Sequence, residues 1–229
     1  MCFQHIPVIT RQRPFITLKR QRNTANLRPI LSSAHTPLSL SVGLWNCQSA
    51  VNKADFITAF ASHSTLNILG LTETWIRPED SATPAALSSN FSFSHSPRQS
   101  GRGGGTGLLV SNNFKYSALS SICNNNSFEY HAITLTTPIK IHIVVIYRPP
   151  GQLGNLVDEL DVLLSSFPED GTPLLVFGDF NIHLEKPHAT DFISLLASFD
   201  LDESPQVLTN QATNWTWFTH ATASRTTFW

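Results

Sequence analysis

Leu174-Leu-Val-Phe-Gly-Asp179-Phe-Asn181-Ile-His183 is a short, continuously apolar run that ends in a polar cluster. The run reads as a strand that hands its last side chains to a loop. Working upstream, Asn155 is placed to cap a helix whose apolar face is Leu156, Leu160, Leu163 and Leu164. Before it, His131–Thr137 and Lys140–Tyr147 predict a hairpin turning at Thr137-Pro138. Thr106–Val110 and Leu66–Leu71 read as further strands, the second delivering Glu73. Residues 51–62 space Val51, Ile57 and Phe60 as a helix does, and Leu38–Leu44 alternates as a half-buried strand does. Downstream, Phe192, Leu195, Leu196 and Phe199 mark the buried stripe of another helix. Residues 77–107 are rich in Pro, Ser and Gly and are expected to be loop. Hairpin-linked strands with inserted helices predict an α+β sandwich rather than a doubly wound sheet.

The 229 residues suit one large domain or two small ones, and 41% hydrophobic against 14% charged content supplies a core. No apolar run approaches the ~20 residues that span a bilayer, so no membrane association is expected. Cys2, Cys47 and Cys123 are odd in number and widely spaced, which excludes a disulfide framework and a thiolate zinc site and fits a reducing, intracellular compartment. The net charge of −1 hides an asymmetry. Residues 1–38 carry Arg11, Arg13, Lys19, Arg20, Arg22 and Arg28 and no acid, leaving the remainder acidic. A basic leader is therefore expected over 1–37, read as a solvated, disordered tail with a backbone-binding arm or a targeting segment as the alternatives, ahead of an acidic domain over 38–213 that does not bind nucleic acid by bulk charge.

Several polar residues stand just after a strand: Asn46, Glu73, Tyr147 with Arg148, and Asp179 with Asn181. Strand ends present side chains rigidly to an open cleft. Carboxylates with an amide carbonyl suit a hard cation such as Mg2+, which neutralises a phosphate and stabilises a leaving oxygen. In isolation, each is as well read as a solvated loop residue or an Asx-type turn; together, in this order, they define a candidate site. Gly101–Gly107 (GRGGGTG) lacks the ending of a P-loop and reads as a loop entering a strand, with Arg102 as a candidate phosphate contact. Asp158, Glu159 and Asp161 read as the solvated face of their helix, His183 and His188 as loop histidines, and Trp45 and Trp75 as packing residues.

The motifs GLWNCQS (Gly43–Ser49), LTETW (Leu71–Trp75), GRGGGTGLLVS (Gly101–Ser111), VVIYRPP (Val144–Pro150) and LLVFGDFNIH (Leu174–His183) resemble the endonuclease/exonuclease/phosphatase superfamily. The likeness is nearest to the apurinic-type endonuclease of non-LTR (LINE-like) retrotransposons. It implies a four-layer sandwich of two mainly antiparallel sheets flanked by helices, and Mg2+- or Mn2+-dependent, in-line hydrolysis of a DNA phosphodiester. In that resemblance Glu73 is the principal metal ligand and Asn46 orients the metal site. Tyr147 bonds the scissile phosphate, Asp179 orients or deprotonates the attacking water, and Asn181 holds a phosphate oxygen. Arg102 and Arg148 are the candidate substrate contacts. The resemblance also implies a monomer, a reverse transcriptase domain in the parent element and, for a functional copy, a nuclear location. The alternatives are a phosphatase acting on phosphoinositides or nucleotides, and a non-catalytic remnant that keeps some nucleic-acid binding.

The family pattern calls for two later acids, one in a strand reading LDLV and one in a terminal Ser-Asp-His, and neither is present. Asn214-Trp-Thr-Trp-Phe-Thr219 is encoded by AAY TGG ACN TGG TTY ACN. Read from the third base this becomes YTG GAC NTG GTT YAC, which is Leu-Asp-(Leu, Met or Val)-Val-(Tyr or His). The expectation is a truncated domain whose residues 214–229 are an out-of-pattern tail from a shifted frame, with little nuclease activity.

Overall fold

The predicted runs form strands because most are apolar on both faces. The computed structural model describes residues 2–7, 39–98, 103–120, 127–182, 189–203 and 215–220. The described elements are β1 (Cys2–Pro7), β2 (Ser39–Asn46), α1 (Ala54–His63), β3 (Ile68–Thr72), α2 (Ala82–Leu87), β4 (Phe91–Ser96), β5 (Thr106–Ser111) and β6 (Lys115–Ala118). They continue with β7 (Glu129–Thr137), β8 (Ile141–Tyr147), α3 (Leu156–Ser165), β9 (Leu174–Asp179), α4 (Thr190–Ser198), β10 (Leu201–Glu203) and β11 (Trp215–His220). One sheet has the order β1-β2-β3-β5-β4 and the other β10-β11-β9-β8-β7-β6.

Strand residues alternate between layers. Ile143, Val145, Leu175 and Phe177 face the first sheet's Leu40, Val42, Ile68 and Leu108. Val144, Ile146 and Val176 turn the other way onto Leu160, Leu163, Phe192 and Leu196 of α3 and α4. On the far side of the first sheet, Leu69, Leu71 and Leu109 pack on Ile57 and Ala61 of α1 and Leu87 of α2. Three apolar layers thus hold four layers of structure, the expected sandwich. The sheets press closely together at Gly70, where an added Cβ would lie 2.3 Å from the Phe177 ring.

Three segments depart from the expectations. The Pro/Ser/Gly-rich stretch is not all loop: it holds α2 and β4, because Phe91-Ser-Phe-Ser alternates with the strand period and pairs with β5. In the leader, Cys2–Pro7 forms an edge strand antiparallel to β2, whose outer backbone groups would otherwise lack a partner. In the tail, Trp215–His220 forms β11 and pairs with β9 from Trp215↔Asp179 to Thr219↔Leu175. Its aromatic and Thr content suits a pleated sheet whatever its origin. Among the described residues no helix is long and apolar enough to cross a membrane.

Candidate active site

Each sheet contains one parallel pair, β2 with β3 and β8 with β9, and the site lies at the carboxyl ends of both pairs. Asn46 is in register with Thr72, which precedes Glu73, while Tyr147 is in register with Asp179. The parallel pairing of β8 with β9 brings the backbones very close at Gly178. A Cβ there would stand 2.0 Å from the Ile146 carbonyl oxygen, so the residue before Asp179 has to be glycine.

Asn46 joins the two sheets. Its Nδ2 donates to Glu73 Oε1 at 2.8 Å and to Asp179 Oδ2 at 3.0 Å. Tyr147, largely buried, donates its hydroxyl to Glu73. Burial and the neighbouring Glu73 carboxylate raise the phenol far above its usual range, so it is a proton donor at neutral pH. Asp179 is 5% exposed, and burial raises its carboxyl above the ordinary range against the opposing bond from Asn46. Backbone strain gathers here: Gln48, Ser49, Glu73, Trp75 and Asn181 all have positive φ. The Glu73 turn is held by bonds from Ser49 N to Glu73 O and Ala50 N to Thr74 O, each 2.8 Å. Lys53 Nζ donates to the carbonyls of Cys47 and Gln48 and closes the turn beyond Asn46.

The structure brings together Asn46, Glu73, Tyr147 and Asp179. Asn181 lies beside them, its Nδ2 donating to Arg148 O at 2.7 Å, which ties the loops after β8 and β9. Arg148 requires a correction. Expected to contact substrate, it is 1% exposed, and its guanidinium donates to the carbonyls of Pro149, Phe180, Asn181 and Gly151. A fork of donors is spent on backbone carbonyls of the two loops. Arg102, His183 and His188 lie outside the described residues. Trp45 packs edge-on against Phe56 and Phe60, as expected of a packing residue, and Trp75 lies against Gly103. Asp158 and Asp161 are exposed, while Glu159 accepts from Ser127 N at 2.9 Å. Glu129, which no motif marked, accepts from Gly105 N and pairs with Arg98 at 3.1 Å.

Among the described residues no group of three or more His, Cys, Asp and Glu side chains gathers as a ready metal cage. Glu73 and Asp179 are nevertheless oxygen donors of the kind that fits a hard cation keeping several waters, while Asn46 turns its NH2, a donor and not a ligand, toward both. A cation there also offsets the cost of the buried Asp179 charge.

Solved structures that share the fold include the following three. The endonuclease domain of TRAS1, a telomere-specific non-LTR retrotransposon, is 12% identical, with a TM-score of 0.57 over 76% of this chain and 82% of that one. An endonuclease/exonuclease/phosphatase family protein from Bacteroides thetaiotaomicron is 12% identical, with a TM-score of 0.56 over 81% and 84%. D. rerio TDP2 complexed with single strand DNA product is 12% identical, with a TM-score of 0.55 over 79% and 83%. A search of curated proteins finds no match. Residues 43–228 match the description of the Endonuclease/Exonuclease/phosphatase family, and by that match over most of its length this chain belongs to the family.

Proposed function

We propose that the site hydrolyses a DNA phosphodiester with the help of Mg2+ or Mn2+, as the endonuclease domain of a LINE-like element. One observation carries the reading: Glu73 and Asp179, from different sheets and far apart in sequence, meet on the amide of Asn46. Glu73, oriented by Asn46, would hold the cation, which would neutralise charge on the phosphate. Asp179, kept in place by Asn46 and by the Asn181 backbone N–H, orients water and takes its proton. The Tyr147 hydroxyl, protonated at neutral pH, would turn its one O–H from Glu73 to the phosphate, and Asn181 adds a second donor. Two proteins of the same fold point to nucleic acid as substrate, one being an endonuclease domain and the other complexed with single strand DNA product.

The remaining elements of the proposal are a monomeric, intracellular and nuclear protein, linked in its parent element to a reverse transcriptase, with 214–229 translated in a shifted frame. Nicking of supercoiled plasmid tests the chemistry. Activity should require Mg2+ or Mn2+ and disappear in Glu73→Ala and in Asp179→Ala. Nicking that survives both substitutions means that this site does not perform it. Release of phosphate from a phosphoinositide or nucleotide, with plasmid left intact, would move the substrate to the phosphatase branch.

A further inference from the structure

We infer that Glu129 is a positioning residue for Glu73, acting through the glycine loop; the inference rests on the reading of Glu73 as the cation's ligand. Glu73 holds a left-handed backbone (φ 54°) that a side chain other than glycine adopts only when its surroundings impose it. One side of its turn is fixed by Ser49 and Ala50. The other side is fixed by the glycine loop, since Thr74 N donates to Gly105 O at 3.2 Å and Trp75 N to Gly104 O at 2.9 Å. Gly103, Gly104 and Gly105 themselves have φ between 73° and 85°, so the loop has little intrinsic preference for this shape and needs an anchor.

Glu129 supplies that anchor. It opens β7 in the opposite sheet, paired with Tyr147, and its Oε2 accepts the Gly105 N–H at 2.5 Å. Arg98, at the other end of the loop, pairs with Oε1 at 3.1 Å. A Cβ on Gly104 would lie 2.5 Å from the same carboxylate, so the loop is seated directly upon it. The chain of contacts runs from Glu129 through Gly105 and Gly104 to Thr74 and Trp75, and so to the residue that carries the ligand. Glu129 therefore sets where Glu73 points without touching cation or substrate.

The test uses the full chain and two readouts. Amide hydrogen exchange of Thr74 and Trp75 reports the seating of the loop, and calorimetric titration with Mn2+ alone reports the site. In Glu129→Ala both amides should exchange at least about tenfold faster and Mn2+ should bind about tenfold more weakly, the effect of one lost charge-assisted hydrogen bond. Glu129→Gln keeps an acceptor for Gly105 N–H while removing the charge, and should stay within about threefold of the parent in both readouts. Gly104→Ala, with Glu129 intact, should reproduce the alanine phenotype. Equal losses in Gln and Ala would show that the charge matters and not the seating, which overturns the inference. Unchanged exchange in Glu129→Ala overturns it too. A parent chain that binds no Mn2+ while the exchange pattern holds would sink the reading of Glu73 as a ligand, and the coupling of Glu129 to the turn would stand by itself.

Discussion

Replacing Arg148 separates a scaffold role from a substrate contact. Its guanidinium makes three bonds from Nη1, at 3.1 to Pro149 O, 3.2 to Phe180 O and 3.3 Å to Asn181 O, and one from Nη2 at 2.6 Å to Gly151 O. Methionine fills a similar volume without donors. Four carbonyls then each lose a partner at ~1 kcal/mol, and relief from burying the cation returns part of this, leaving a net loss of about 2–4 kcal/mol. For a chain of this size that corresponds to a fall in Tm of roughly 4–16 °C. Lysine keeps the charge but projects its donors from one point, so it should recover no more than about half of the loss. Urea unfolding and thermal melts measure the effect, and fluorescence anisotropy with a labelled DNA duplex measures binding. At a temperature where all variants are folded, DNA affinity should be the same for Arg148→Met and the parent. A variant with parental Tm but weakened DNA binding would refute the scaffold role and restore the sequence-based expectation.

Three further outcomes are expected. His131 lies between the sheets with Ser94 Oγ 2.7 Å from Nε2 and Ser96 Oγ 2.9 Å from Nδ1, and burial, reinforced by His95, lowers its pKa to about 4. The native state thus refuses a proton that the unfolded chain takes below about pH 6.5, so stability present above that value falls by up to ~3 kcal/mol as pH drops toward 4. In His131→Gln this part of the pH dependence should vanish from urea titrations. Cys47, buried beside Thr72 and Glu73, has its thiol pushed up to about 12, so mass mapping after alkylation of the native protein at pH 8 should find it unmodified. If residues 214–218 stand in a shifted frame, a variant that reads Leu-Asp-Leu-Val-His there should nick plasmid at least ~10²-fold faster than this chain, the effect expected for one transition-state stabiliser; equal rates would mean that this acid is dispensable.

The sandwich was legible because its strands carry continuous apolar runs. Alternation of polar with apolar residues is unnecessary when both faces of a strand are covered: Ile143 and Val144 serve different layers. Asn46, Glu73, Tyr147 and Asp179 could be picked out because each follows such a run. Arg148 misled because position after a strand says nothing about which way a side chain turns, and here it turns inward to backbone carbonyls. Glu129 gave no signal, since one carboxylate at the start of a strand resembles any solvated residue until the glycine loop is seen resting on it. β4 was masked by its serines, which read as loop chemistry although every second residue is Phe or His. β1 and β11 depend on pairing with strands distant in sequence, which local patterning does not report.

The contact between Gly70 and Phe177 gives the interior of this protein control over its chemistry. Gly70 lies three residues before Glu73, and Phe177 two before Asp179, so this close contact between the sheets sits just beneath the two carboxylates. The core acts there as a spacer gauge: its thickness sets the gap across which Asn46 must reach. A methyl group added at Gly70 would wedge the sheets apart at that point and widen the jaws above, with every polar side chain of the site unchanged. Drift in such interior positions could therefore silence a copy of this domain while its recognisable motifs persist, and the first place to look in an inactive relative with intact motifs is the layer below them.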